Sequence, residues 1–155
     1  MPTVLIVDDD AALREGLAET LADLGHRAEQ AADGEAALRR IARGGVDAVL
    51  LDLRMPGMDG MEVLRRLRAG AAPPPVAVLT AVPTAANTIE AMRLGAVDHL
   101  TKPIGRDDLA ALLARMFPAV AATAAAGAAA AGAAAAGNMR ASRAARSSRP
   151  IGLAR

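Results

Sequence analysis

Short strand-like runs alternate with helical stretches five times before Pro118, and this alternation limits the fold more than any other feature. The predicted strands are 3–7, 27–31, 48–51, 76–79 and 97–100. Apolar residues recur at helical spacing over 11–24, 35–42, 61–67, 84–94 and 108–116. Strands that alternate with helices form a parallel sheet covered on both faces, with right-handed crossovers. The sequence therefore predicts an α/β fold, a five-stranded doubly wound sandwich.

The residues that directly follow the predicted strands carry most of the reactive side chains. In doubly wound sheets the functional crevice lies at the carboxyl ends of the strands, near the point where the strand order reverses. The residues at these positions are Asp8, Asp9 and Asp10 after the first strand, Asp52 after the third, Thr80 after the fourth, and Thr101 and Lys102 after the fifth. We therefore expect carboxylates, hydroxyls and a cation to meet at one edge of the sheet.

Several carboxylates at one strand edge are tolerated when a hard divalent cation lies among them. Proteins commonly bind Mg²⁺ through one or two carboxylates together with waters and phosphate oxygens. Lys102 is the only lysine among 18 basic residues, and its compact ammonium suits a phosphate oxygen, as does the hydroxyl of Thr80. The Lys102–Pro103 bond is also a candidate cis peptide. The set resembles a phosphoryl-transfer site.

Taken one at a time, these residues also have structural interpretations. Asp10 and Asp59 precede predicted helices and are interpreted as N-caps rather than as ligands. Asp52 alone would be a turn residue, and Lys102 alone would be a solvated surface charge. Their joint placement at the ends of different strands is what favours a site.

Several segments of the chain resemble the receiver domain of bacterial two-component response regulators. These segments are VLIVDDD, AADGEAAL, DLRMPGMDG, LTA and GAVDHLTKPI, in this order. The resemblance covers residues 1–117 and implies a flavodoxin-like sheet with strand order 2-1-3-4-5. TAANTIEAMRLGAVDHLTKPI looks most like receivers of the sigma-54-activator type, but no GxxxxGK[ST] phosphate loop follows. We expect a stand-alone receiver or one whose output module has been lost.

The resemblance implies roles for the acidic residues. Asp52 would accept a phosphoryl group from a phosphohistidine of a sensor histidine kinase or a phosphotransfer protein. Asp9, Asp52 and the backbone carbonyl of Arg54 would ligate Mg²⁺, and Asp8 would act through a water. An unidentified output protein and a homodimer complete the implied partners.

The resemblance also implies a phosphoryl-binding pair and a switch. Thr80 and Lys102 would bind the phosphoryl oxygens and complete the catalytic set with Asp52. Thr80 and His99 would form the switch, with His99 at a position where the family commonly has Tyr or Phe. Because the imidazole ring titrates near neutral pH, the resemblance leaves the amplitude of this switch open.

Composition divides the chain into a receiver domain at 1–117, an Ala/Gly-rich linker at 118–137 and a basic, disordered tail at 138–155. Residues 1–118 hold all 17 acidic residues and 13 of the 18 basic ones, so their net charge is −4. The nineteen uncharged residues 119–137 could span a bilayer by length, but they lack the Leu, Ile and Phe that drive insertion. The tail has no aromatic residue for base stacking. We expect a cytoplasmic protein that binds neither membrane nor DNA.

Two other functional classes stay open from sequence alone. VDDDAA contains the Asp-x-Asp of haloacid-dehalogenase-type phosphatases, although Ala12 stands where that family has Thr or Val and Asp52 would have no role. The other class is an inactive receiver that serves as a dimerisation scaffold with a nucleic-acid-contacting tail. The presence of Asp9, Asp52, Thr80 and Lys102 argues against inactivity. The absence of cysteine excludes disulfides, thiolate metal sites and a cysteine nucleophile.

Overall fold

The computed structural model describes residues 1–82 and 84–118, and within them five strands alternate with five helices. The strands are β1 Thr3–Val7, β2 Arg27–Ala31, β3 Ala48–Asp52, β4 Val76–Thr80 and β5 Asp98–Thr101. The helices are α1 Ala11–Asp23, α2 Gly34–Ala42, α3 Gly60–Ala69, α4 Ala85–Arg93 and α5 Arg106–Met116. The chain divides into two compact units, Met1–Leu112, which contains the whole sheet, and a second that begins at Leu113.

All strand pairs are parallel, and the strand order is β2-β1-β3-β4-β5. The prediction of a doubly wound α/β fold with strand order 2-1-3-4-5 is confirmed. The strand order reverses between β1 and β3, because β2 lies on one side of β1 and the later strands lie on the other. In the ladder of β1 with β3, Val7 pairs with Leu51. This register brings Asp8 and Asp52 next to each other at the carboxyl edge of the sheet.

The bounds of β1 and β2 match the sequence prediction, and those of the other elements differ from it by at most two residues at either end. β3 and β4 each extend one residue further, because Asp52 pairs with Leu79 and Thr80 pairs with Thr101 in the parallel ladders. β5 begins one residue late, at Asp98. Thr84 was predicted to be helical but is the N-cap of α4, where its side chain accepts a hydrogen bond from the backbone of Asn87.

The three central strands form a fully buried platform. Every residue of β1, β3 and β4 is buried, whereas β2 at one edge and β5 at the other are partly exposed. Burying a Val, Leu or Ile side chain contributes about 1.5–3 kcal/mol each, so these strands are held firmly. The side chains at their carboxyl ends therefore start from fixed backbone positions.

Aspartate N-caps begin the three helices α1, α2 and α3. The carboxylate of Asp10 accepts a hydrogen bond from the backbone N–H of Leu13 at 3.2 Å. Asp59 does the same for Glu62 at 3.0 Å. The interpretation of both aspartates as N-caps is confirmed.

No helix within residues 1–82 and 84–118 is both long enough and apolar enough to cross a membrane. Apart from Pro118, the predicted linker at 118–137 and tail at 138–155 lie outside the described residues. The three domain boundaries drawn from composition therefore stay predictions.

His26 is buried in the turn between α1 and β2, where only 4% of its surface is exposed. Its backbone N–H donates to the carbonyl of Leu21 at 2.9 Å. Burial lowers the pKa of His26 below its ordinary 6.5, and the positive charge of the N-terminal amine lowers it further. At neutral pH the folded chain therefore holds this imidazole in its neutral form.

We expect the free energy of unfolding to fall as the pH drops below 6.5, because the unfolded chain then protonates His26 before the folded chain does. The stability is complete above the ordinary pKa and is lost as the pH approaches the lowered folded value. The free energy of unfolding of His26→Gln, measured with urea from neutral pH down to below 6.5, should lack the part of the pH dependence that His26 causes. His99→Gln, which removes the other histidine, is the control and should keep it. If the free energy of unfolding depended on pH equally in the wild type and in His26→Gln, the lowered pKa of His26 would be contradicted.

Candidate functional site

Four of the residues predicted for the site meet at the carboxyl edge of the sheet. Carboxylate oxygens of Asp8, Asp9 and Asp52 lie within 4.8 Å of one another. The Nζ atom of Lys102 lies 2.8 Å from Oδ2 of Asp8 and 3.3 Å from Oδ1 of Asp52. The site thus combines residues that directly follow β1 and β5 with the last residue of β3.

Two of the three carboxylates are buried, which makes their pairing with Lys102 necessary. Asp8 is 1% exposed and Asp52 is 4% exposed, while Asp9 is exposed. A buried carboxylate without a partner is costly, and two adjacent ones also repel each other. The ammonium of Lys102 contacts both buried acids and offsets part of this cost.

The balance of forces on Asp52 still disfavours its charged form. Burial raises the pKa of Asp52 above 3.8, and the charge of Asp8 raises it further. The backbone N–H of Arg54, which donates to Oδ1 at 3.2 Å, and the charge of Lys102 act in the opposite direction without cancelling the rise. An additional cation would therefore favour ionised Asp52.

Lys102 responds to the same surroundings in the opposite way. Burial alone lowers the pKa of its ammonium, but the hydrogen bond to Asp8 and the charge of Asp52 more than offset this. The pKa of Lys102 lies above its ordinary 10.5, so the side chain is a permanent cation at neutral pH. The Lys102–Pro103 peptide bond is cis, as predicted.

Asp8 is the most firmly held of the three acids. Its Oδ1 accepts a hydrogen bond from the backbone N–H of Asp10 at 2.9 Å, and its Oδ2 accepts one from Lys102. Its own N–H donates to the carbonyl of Ala31 on β2 at 3.2 Å. Both carboxylate oxygens of Asp8 are therefore engaged within the protein.

Sequence reasoning missed Arg14, which also holds this loop. Nη1 of Arg14 donates to the backbone carbonyl of Asp8 at 2.7 Å, and Nε donates to Oε1 of Gln30 at 3.2 Å. An arginine one turn into an amphipathic helix usually points into solvent, so its type and position gave little signal. The only indication was its location four residues after the N-cap Asp10.

The loop from β3 to α3 approaches the strand end so closely that only glycine fits at residue 60. A Cβ on Gly60 would lie 2.8 Å from the Cα of Leu53 and closer still to the carbonyl oxygen of Asp52. The N–H of Gly60 donates to the carbonyl of Leu53 at 3.1 Å. The start of α3 is therefore packed directly on the backbone that carries Asp52.

Thr80 lies beside the acidic group, but its hydroxyl is used within its own loop. Oγ1 donates to the carbonyl of Val82 at 3.1 Å and accepts from the N–H of Val82 at 3.2 Å. The backbone carbonyl of Thr80 accepts from the N–H of Lys102 at 2.8 Å, which ties the ends of β4 and β5 together. His99 is half-buried on β5 opposite Val78. The phosphoryl-binding and switch roles of these residues stay predictions.

The donor set fits a hard divalent cation. Three carboxylates supply oxygen ligands within a small volume, two of them are shielded from water, and burial raises the pKa of Asp52. The carbonyl of Arg54 remains a predicted ligand, although its N–H already anchors Asp52. The acidic group could thus hold a metal ion.

We expect Gly60→Ala to lower the free energy of unfolding by roughly 1–3 kcal/mol, because the added methyl group overpacks the backbone at Asp52. Chemical denaturation measures this loss. Gly70→Ala at the other end of α3 is the matched control, since its Cβ would lie 3.5 Å from the nearest atom, an ordinary contact. Equal stability of the two variants would show that the backbone at residue 60 can move without cost.

We expect Asp52→Asn to raise the melting temperature by a few degrees in metal-free buffer at neutral pH, because the substitution removes a buried charge whose pKa is raised. The advantage should shrink as the pH falls through that raised pKa and vanish below 3.8, where the wild-type carboxyl is protonated in both states. Asp10→Asn, which keeps a good N-cap, should leave the melting temperature unchanged. A less stable Asp52→Asn would mean that the contact with Lys102 outweighs burial.

The sequence profile of the response regulator receiver domain matches residues 4–114. The chain is 43% identical over 113 residues to response regulator MprA of Mycobacterium sp. (strain KMS), covering 73% of this chain and 48% of that protein. The MprA of Mycobacterium leprae (strain TN) is 42% identical over 108 residues, covering 70% and 47%. The chain spans about half the length of the curated relatives it matches.

Solved structures of receivers have the same fold. The Vibrio cholerae chemotaxis protein CheY4 matches with a TM-score of 0.70 at 32% identity, covering 75% of this chain and 98% of that chain. The receiver domain of Francisella response regulator 1452 matches with a TM-score of 0.72 at 31% identity, covering 76% and 98%.

These similarities favour neither the phosphatase nor the inactive scaffold, and they do not test the resemblance to sigma-54 activators, which stays a prediction. The matched segment includes β1 from Val4 onward, the other four strands and the acids at the carboxyl edge. The chain therefore belongs to the response regulator receiver domain family, the signalling domains of two-component systems.

Proposed function

We propose that this receiver accepts a phosphoryl group on Asp52, in a Mg²⁺-dependent reaction, from a phosphohistidine of a sensor histidine kinase or phosphotransfer protein. The observation that carries the proposal is the meeting of Asp8, Asp9, Asp52 and Lys102 at one edge of the sheet. Membership of the receiver family supports the same conclusion. Phosphoryl acceptance and self-dephosphorylation are the only chemistry proposed for the domain.

The contacts of the three aspartates favour Asp52 as the acceptor. Both carboxylate oxygens of Asp8 are engaged, and Asp9 lies exposed on the loop. Asp52 uses Oδ1 for the N–H of Arg54 and for Lys102. Within residues 1–82 and 84–118 its Oδ2 has no hydrogen bond or ion pair. Asp52 is thus anchored through one oxygen and retains the other for attack on phosphorus.

The proposed ligands of Mg²⁺ are Asp9, Asp52 and the backbone carbonyl of Arg54, with Asp8 acting through a water. The indirect role of Asp8 is consistent with the engagement of both its oxygens. When bound, the ion supplies positive charge that offsets the negative charge of the acids and of the incoming phosphoryl group.

In the proposed step, the free oxygen of Asp52 forms a bond to phosphorus while the bond from phosphorus to the donor imidazole nitrogen breaks. The electron pair of the broken bond remains on that nitrogen. Lys102 is placed to transfer one hydrogen bond from Asp8 to a phosphoryl oxygen. Such positioned charge provides most of the catalysis in phosphoryl transfer.

Thr80 and His99 are the proposed switch. For Thr80 to donate to a phosphoryl oxygen, its hydroxyl must leave the carbonyl of Val82, to which it now donates at 3.1 Å. Phosphorylation adds about 1.5 to 2 negative charges beside this hydroxyl and favours that rotation. His99 lies on the adjacent strand β5 and is half-buried, so it can respond to a change at the end of β4.

The proposed partners are the kinase or phosphotransfer protein, an unidentified output protein and a second copy of the chain. The family resemblance supports the kinase and the output protein, and it also supports a cytoplasmic setting. The chain spans about half the length of its curated relatives, so an output activity is proposed only through the unidentified output protein. We do not propose DNA or membrane binding.

Incubation with acetyl phosphate and Mg²⁺ should add one phosphoryl group to the wild type, measured by intact mass. The adduct should be absent without Mg²⁺ and absent in Asp52→Asn, because the variant lacks the nucleophile. Asp59→Asn is the matched control, since residue 59 caps α3 and lies outside the acidic group. It should be labelled like the wild type.

Three results would contradict the proposal. An adduct that persists in Asp52→Asn would place the acceptor elsewhere, and an adduct found on Asp8 would favour the phosphatase alternative. A wild type that binds Mg²⁺ but takes up no phosphoryl group would favour the inactive scaffold.

A further inference from the structure

We propose that Arg14 is a positioning residue that sets the Mg²⁺ affinity of the site by fixing the peptide plane between Asp8 and Asp9. The inference depends on the Mg²⁺ binding in the proposed function, but not on phosphoryl transfer. Within residues 1–82 and 84–118, Arg14 makes no hydrogen bond or ion pair with a carboxylate of the acidic group, so its effect is on geometry.

Asp9 is the residue whose side chain Arg14 would position. Its carboxylate belongs to the acidic group but is exposed, and within residues 1–82 and 84–118 it makes no hydrogen bond or ion pair. Its position therefore depends on the backbone that carries it. The hydrogen bond from the N–H of Asp10 to Oδ1 of Asp8 spans Asp9 and holds the turn on one side.

Arg14 holds the other side of the same turn. Nη1 of Arg14 donates to the carbonyl oxygen of Asp8 at 2.7 Å. Because the peptide unit is planar, fixing this carbonyl also fixes the N–H and the Cα of Asp9. Without Arg14, the peptide plane keeps only the restraint from the Asp8 side chain.

Arg14 is itself anchored on β2. Its Nε donates to Oε1 of Gln30 on the edge strand β2 at 3.2 Å, so the guanidinium is held at two points. A planar guanidinium can serve both acceptors at once, whereas an ammonium is a point donor on a flexible chain. The arrangement links β2, α1 and the Asp8 carbonyl in one chain of hydrogen bonds.

The direction in which Mg²⁺ affinity changes when Arg14 is removed separates a positioning role from a purely electrostatic one. Arg14 is a cation close to an acidic site, so charge alone predicts that its removal tightens Mg²⁺ binding. Positioning predicts the reverse, because a mobile Asp9 binds the ion less well. The two explanations cannot both fit one measured direction.

The test is Mg²⁺ titration by isothermal titration calorimetry, together with the rise in melting temperature that Mg²⁺ produces. Arg14→Ala should raise the dissociation constant roughly tenfold, the usual scale for residues that orient metal ligands. Gln30→Ala should raise it by less, and Arg14→Lys should recover part of the loss. Arg39→Ala, an exposed arginine in the last turn of α2, is the control and should leave it unchanged.

A double variant shows whether Arg14 acts through Asp9. If it does, Arg14→Ala should have little further effect on Mg²⁺ affinity in the Asp9→Asn background, since the ligand it positions is already lost. Equal effects in both backgrounds would overturn the route through Asp9. Gln30→Ala keeps the test decisive if Arg14→Ala fails to fold, because Gln30 is exposed on the edge strand.

Mg²⁺ affinity that is unchanged or higher in Arg14→Ala, with the fold intact by circular dichroism, would overturn the inference. This outcome is distinguishable from failure of the proposed function, which is a wild type that binds Mg²⁺ but is not labelled on Asp52. A wild type that binds no Mg²⁺ would overturn both.

Discussion

The contact of one ammonium with two buried carboxylates is the interaction on which the rest of the site depends. Lys102 follows β5 and lies 2.8 Å from Asp8 and 3.3 Å from Asp52, so it joins the ends of three strands. Buried ion pairs add little net stability, because desolvation offsets most of their attraction. The raised pKa of Asp52 indicates that burial and the charge of Asp8 outweigh the attraction of Lys102 at this carboxylate. A further cation would therefore stabilise the ionised form of Asp52.

Three aspartates of the same chemistry occupy three environments at this edge. Asp8 is buried with both oxygens engaged, Asp9 is exposed, and Asp52 is buried with one oxygen engaged. This difference suits the proposed roles of anchor for Asp8, metal ligand for Asp9 and acceptor for Asp52. The backbone at Asp52 is also held in place by packing, because Gly60 brings the start of α3 directly against it. The backbone at the strand ends is thus fixed, while the carboxylates of Asp9 and Asp52 beside it keep oxygens that are available for binding.

The sequence predicted the helix and strand pattern, the carboxyl edge as the place of the site and most of the residues found there. Asp52 and Thr80 were expected just beyond their strands but are the last residues within them, because the pairing of parallel strands continues to those positions. Arg14 was missed altogether, since its partners are a backbone carbonyl and a glutamine on another strand. Neither partner has a spacing in the sequence that reveals the contact.

The amino-acid sequence by itself determined the α/β class and the chemistry available at the strand ends, because side-chain periodicity and strand-end residues are local properties of the chain. Only the tertiary structure decided which aspartate oxygens accept hydrogen bonds, where the hydroxyl of Thr80 points and that Arg14 holds the Asp8 carbonyl. These features depend on atoms that are distant along the chain and become neighbours only when the parallel ladders fix their register. Hydrogen-bond partners over such separations follow from packing, and packing follows from the whole fold.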